Sequence, residues 1–142
     1  MQQESENRPA PLSRPQLLTI LCVLSYIGSG LASVAFFSIW STYHEVMPML
    51  AESEDLFPGM EYFIKAGRNF FLAGFILYFL SLVGVSLMWR MRKAGFHFYT
   101  GAQIMIALLP IVYIDGFPIS FLEWMLTAAF IILYGRFYRL FT

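Results

Sequence analysis

Apolar residues in this chain gather into blocks instead of repeating at amphipathic spacing. The blocks run Leu17–Trp40, Asn69–Trp89, Phe98–Ile114 and Ile119–Gly135, and charged residues collect at their edges. They are 24, 21, 17 and 17 residues long. A hydrocarbon core about 30 Å thick is crossed by roughly 20 apolar residues as helix, with a usual range of about 17–25. The last two blocks reach this comfortably if their helices run on into Asp115 and through the Tyr134–Leu140 stretch. Phe70–Leu80 (FFLAGFILYFL) lacks the period-two alternation of a barrel strand. Helix is then the form that satisfies backbone polar groups within lipid. The pattern predicts an all-α integral membrane four-helix bundle. It has a polar tail over residues 1–16, a four-span domain over 17–142 and a partly structured outer loop over 41–68.

Composition narrows this further. Hydrophobic residues make up 58% of the 142-residue chain and charged residues 13%, and the mean hydropathy is +0.65. Soluble domains average roughly 45–50% apolar and about 25% charged. The four blocks fill more than half of the chain and leave no room for a separate soluble domain.

Net charge is zero, but its placement is not even. Arg8 and Arg14 precede the first block, Arg90, Arg92 and Lys93 separate the second from the third, and Arg136 and Arg139 follow the fourth. The opposite ends carry Glu45, Glu52, Glu54, Asp55, Glu61, Asp115 and Glu123, offset by Lys65 and Arg68. Lys and Arg near span ends favour the cytoplasmic face. The expected topology is N-in and C-in, multi-pass, in a bacterial inner (cytoplasmic) membrane. Arg90-Met91-Arg92-Lys93 reads as a topology anchor, since three charges fall short of the usual 4–8 of a lipid-binding cluster. Nothing points to nucleic acid.

Local signals set the element ends. Pro15 suits the first turn of a helix, with Ser13 as its cap. Arg14, an apolar run and Ser33-Val34-Ala35 imitate a cleaved signal peptide, but Phe36–Trp40 carries the apolar run past that site, so the first span is expected to stay. The first helix should extend toward Met47, where Pro48 bends or ends it. Pro58-Gly59 marks a turn. A helix starting at Gly59 or Met60 should run into the second span, supported by Glu61 and Lys65 four apart. Arg90–His97 reads as a short inner turn containing Gly95, and Gly116-Phe117-Pro118 as a tight outer hairpin. Pro110 should kink or end the third span.

The candidate chemistry is sparse. Ser25, Gly28, Ser29, Ala32 and Ser33 form small-xxx-small spacings, which serve either a homodimer face or close packing inside the monomer. Packing is the simpler reading. Asp115 and Glu123 flank the outer hairpin, and Arg68 lies at similar depth. They form a candidate ion or substrate cluster, or an interfacial ion pair that fixes register. Gln103 is the deepest strong hydrogen-bonding side chain. It is placed to line a polar pocket with Tyr26, Tyr78, Ser81 or Thr127, or to bond between helices. His44 and His97 fall at opposite ends, which excludes a bis-histidine haem held by this chain alone. His44 with Glu45 or Glu52 matches no strong zinc spacing. The single cysteine, Cys22, reads as a packing residue. Trp40, Tyr43, Tyr62 and Phe63 outside, and Trp89, Phe96, Phe98, Tyr99, Phe137 and Tyr138 inside, read as headgroup-level girdles. No catalytic residue, cofactor or metal site is assigned.

Residues 14–30, RPQLLTILCVLSYIGSG, combine an arginine-proline start, a Leu-Thr-x-Leu-Cys run and an Ile-Gly-Ser-Gly stretch. This opening resembles that of short four-span bacterial membrane proteins with no assigned activity. The resemblance implies a four-span layout and no functional residue.

The expected function is non-enzymatic: a packing or accessory protein, subunit-like, whose partners are the bilayer and a second copy or larger membrane complex. Such a protein should form a sealed bundle. The alternative is a small transporter or channel using Glu123 and Asp115 with Arg68, which should have a polar cavity leading from the outer face to Glu123. A lipid-acting enzyme is the weakest class.

Overall fold

The computed structural model describes residues 14–53 and 58–142. The described residues are all-helical, with no strand. The elements are α1 (Gln16–Ser41), α2 (Tyr43–Glu52), α3 (Met60–Ala66), α4 (Arg68–Trp89), α5 (Lys93–Tyr113) and α6 (Phe121–Arg136), closed by a 3₁₀ turn over Tyr138–Leu140. Four helical stretches are long and apolar enough to cross a membrane: α1, α4, α5, and α6 with its continuation to Leu140.

α1, α4 and α5 pack as a layer of antiparallel helices with α4 in the middle. Leu18, Leu21 and Cys22 of α1 meet Val85 and Met88 of α4 at one end, joined by Tyr99, Tyr134 and Phe141. Met47, Ala66, Phe70, Phe71, Leu109 and Ile114 make a second cluster at the other. The first cluster lies at the basic end, near the 90–93 turn and Thr142. The second lies at the acidic end, under α2, α3 and the 114–120 connection.

α4 and α5 approach each other backbone to backbone. A Cβ on Gly84 would fall 2.6 Å from the backbone nitrogen of Tyr99, and one on Gly95 would fall 2.5 Å from that of Met88. Without Cβ atoms, small residues let backbones approach to this range and gain dispersion contacts on both helices. This explains a departure from the sequence expectation. Gly95 is not in a turn but inside the first turn of α5, which starts at Lys93, five residues before the apolar block. The connection shrinks to residues 90–92, and Met91 adopts φ of 59° there.

The prolines and the 41–68 connection also depart from expectation. The first helix breaks at Thr42, whose hydroxyl donates to the Ser38 carbonyl at 2.8 Å, and not at Pro48. Pro48 lies inside α2, so the helix tolerates the lost donor. Gly67, at φ 78° and ψ 167°, separates α3 from α4, and the expected continuous helix becomes two. The Glu61–Lys65 pair does form, at 3.6 Å. Pro110 does not end α5 early, since the helix runs on to Tyr113. It occupies the last turn, and its carbonyl accepts from Ile114 N–H at 2.9 Å. Pro15 stands at the N-cap position and not within the first turn. Ser13, Glu54 and Asp55 lie outside the described residues.

α6 is attached differently. Tyr134 is its one buried residue, whereas Phe121 and Leu122 toward the acidic end are 76% and 66% exposed. Its anchorage comes from the basic end. There Thr142 N–H donates to the Met91 carbonyl at 2.7 Å, and Lys93 N–H donates back to the Thr142 carbonyl at 3.1 Å. Phe141 is buried beside them.

Candidate functional site

Between the two apolar clusters, at mid-height of the layer, the helices present hydroxyls to one another. Ser29 and Ser81 Oγ atoms share a hydrogen bond at 2.9 Å. Gln103 Nε2 donates to Ser81 at 3.2 Å. One turn toward the basic end, Ser25 Oγ lies 2.9 Å from the Tyr134 hydroxyl and 3.3 Å from that of Tyr99. These bonds tie α1, α4, α5 and α6 together. A polar group in an apolar interior is tolerated when it is bonded.

The serines of the small-residue face therefore turn inward. Ser25, Ser29 and Ser33 are all buried within the monomer. Gly28 and Ala32, the other two members of that face, line a cleft of about 310 Å³ between α1 and α6. Its remaining walls include Tyr78, Gln103, Leu126, Thr127 and Phe130. Because α6 is held only near the basic end, the cleft is open. Gln103, Tyr78 and Thr127 line this cleft together, among apolar walls from Leu24, Leu126 and Phe130. Tyr26 is not part of it; its hydroxyl donates to Ser86 at 2.7 Å.

Three groups on this cleft have bonding capacity left over. Neither the Tyr78 hydroxyl, the Thr127 hydroxyl nor the Gln103 carbonyl oxygen has a hydrogen-bond partner among the described residues. Tyr78 also lines a second cavity, of about 210 Å³, which Glu123 faces together with Phe36, Phe63, Pro110 and Phe117.

The charges at the acidic end are not joined in ion pairs across helices among the described residues. Arg68 Nε donates to the Trp40 carbonyl at 3.3 Å, and its guanidinium stands 4.9 Å above the Trp40 ring. Asp115 is exposed and Glu123 half-buried. Among the described residues, Glu61–Lys65 is the only ion pair, so neither Asp115 nor Glu123 is bridged to Arg68. A bond from Arg68 to the C-terminal carbonyls of α1 explains this, because those groups have no intrahelical donor. No group of three or more His, Cys, Asp or Glu side chains could hold a metal among the described residues. His97 Nε2 lies 3.3 Å from the Tyr138 hydroxyl.

Tyr99 and Tyr134 are the site residues that sequence reasoning missed. Tyr99 reads as part of the inner girdle but is 3% exposed, with its hydroxyl on Ser25. Tyr134 sits in an otherwise apolar block, and a lone tyrosine at that depth is the signal that would have found it. Compared with protein-family models, curated proteins and solved structures, the chain gives no match.

Proposed function

We propose that this chain is a multi-pass protein of a bacterial inner membrane, N-in and C-in, and that it works as a non-enzymatic accessory subunit. Its cleft beneath α6 receives side chains from a membrane helix of a partner, either a second copy or a larger complex. One observation carries this reading: unbonded polar groups of Tyr78, Thr127 and Gln103 face an open cleft at mid-height. Lipid tails satisfy the exposed apolar flank of α6, but they offer nothing to two hydroxyls and an amide oxygen. Partner side chains with Ser, Thr or Asn chemistry do. Where a sealed bundle was expected, the helices close over an apolar cluster at each end and leave a cleft beneath α6 between them.

The experiment is affinity purification of the full chain from native membranes in mild detergent, with and without Tyr78→Phe, Thr127→Val and Gln103→Leu combined. Three interhelical hydrogen bonds at roughly 0.6 kcal/mol each amount to about a twentyfold change in affinity. Loss of the co-purifying protein from a variant with unchanged helicity supports the reading. Equal recovery from both chains, or no partner for either, would sink it.

A second reading, a small transporter or channel, draws on Glu123, whose cavity meets the cleft at Tyr78. Against it stands the buried apolar cluster of Leu18, Leu21, Cys22, Val85 and Met88 at the basic end, which offers an ion no charged partner. If Glu123 carries flux, Glu123→Gln should abolish ion uptake into liposomes. On the accessory reading, wild type and variant give the same background leak.

A further inference from the structure

We propose that the basic end is a docking surface for anionic phospholipid headgroups of the cytoplasmic leaflet. Along the sequence its cations lie in three short groups, none reaching the 4–8 typical of a lipid-binding cluster. The fold gathers them. Arg14 donates to the Trp89 carbonyl and stands 4.2 Å above the Trp89 ring, which brings the start of α1 against the end of α4. The reciprocal bonds between Thr142 and residues 91 and 93 bring the chain's last turn to the same place. Tyr138 packs on Phe96 and His97. Arg14, Arg90, Arg92, Lys93, Arg136 and Arg139 thus share one end, with no acidic side chain there among the described residues.

Six cations fall within the lipid-binding range, and five of the six are arginines. The guanidinium fork matches phosphate oxygens bidentately. Arg90, Arg92, Lys93, Arg136 and Arg139 are not in ion pairs among the described residues, and each is exposed. Trp89, Phe96 and Tyr138 lie at the same level, the depth at which aromatic rings meet headgroups. A phosphate presented at that depth, with acyl chains beside the helices, is the occupant that fits both charge and position. The inference rests on the membrane reading but not on the cleft.

The test uses the full chain reconstituted in phosphatidylcholine vesicles, with spin-labelled phosphatidylglycerol or spin-labelled phosphatidylcholine as probe. The anionic probe should associate with the protein about threefold more strongly at low ionic strength. Raising salt to 1 M, where the Debye length contracts to about 3 Å, should remove most of that preference. Arg136→Gln with Arg139→Gln, which leaves the 90–93 cations to hold topology, should reduce it by about half, and Arg→Lys at both positions should retain most of it. Equal association of the two probes with the wild type, or a preference indifferent to salt and to both substitutions, would overturn the inference. A chain that does not enter the vesicles would overturn it together with the membrane reading, whereas insertion without lipid preference leaves that reading standing.

Discussion

Leucine at Gly84 or at Gly95 should abolish the folded monomer, and alanine at either position should already destabilise it by about 3 kcal/mol or more. The obstacle is main chain, not a side chain that can swing away. A Cβ at Gly84 meets the backbone nitrogen and Cα of Tyr99 at 2.6 and 2.9 Å, and one at Gly95 meets the Gly84 carbonyl oxygen at 2.6 Å. Relief requires α4 and α5 to separate, which uncouples the buried Met88 and Tyr99 together. Gly30→Ala and Gly101→Ala are the controls, since nothing lies within 4 Å of the added atom at either site. They should match the wild type or gain slightly from the higher helix propensity of alanine. Thermal unfolding in detergent followed by helicity decides the matter. Four alanine variants with the same midpoint would mean that the α4–α5 crossing is not as close as described.

Tyr134→Ala should release α6 from the bundle while α1, α4 and α5 stay together. Tyr134 is fully buried, its ring centroid lies 5.0 Å from that of Tyr99, and its hydroxyl is the link to Ser25. Removing a buried aromatic side chain costs about 3–5 kcal/mol, and no other residue of α6 is buried to compensate. Tyr134→Phe keeps the ring and loses one hydrogen bond, roughly 0.6 kcal/mol in membrane helices, so α6 should remain docked. Spin labels at the exposed Ile76 and Leu122 read the difference. Wild type and Tyr134→Phe should give one narrow distance distribution, and Tyr134→Ala a broad one. A narrow distribution in the alanine variant would show that the Phe141–Thr142 tie holds α6 unaided.

Much of the fold was legible because block length and edge charge act independently of packing detail. Leu17–Trp40 and Asn69–Trp89 fall within a residue of α1 and α4 at each end. The α5 start was misplaced because Lys93–His97 is polar enough to read as a turn, and only the partner helix reveals why Gly95 belongs to a helix. Pro48 and Pro110 read as breakers because local sequence does not show whether the freed carbonyl is tolerated. In the site, depth alone suggested Gln103 with Tyr26, Tyr78, Ser81 or Thr127. Tyr78 and Thr127 share a cleft with Gln103 and Ser81 bonds it, but Tyr26 turns to Ser86, which depth does not reveal. Tyr99 was not legible, since a tyrosine near a span end points to headgroups or to the core according to which face of α5 meets α1 and α6. Asp115, Glu123 and Arg68 read as one cluster because charge position along the chain does not show that Arg68 bonds the Trp40 carbonyl instead, leaving both acids unpaired with it among the described residues.

The sealed position of Cys22 makes sidedness simple to measure. The native sulfur is 0% exposed, out of reach of water-borne maleimides, so the wild-type background needs no prior removal of thiols. A single new cysteine at Arg92 or at Glu52 would then respond alone. In intact cells an impermeant reagent should modify the second and spare the first.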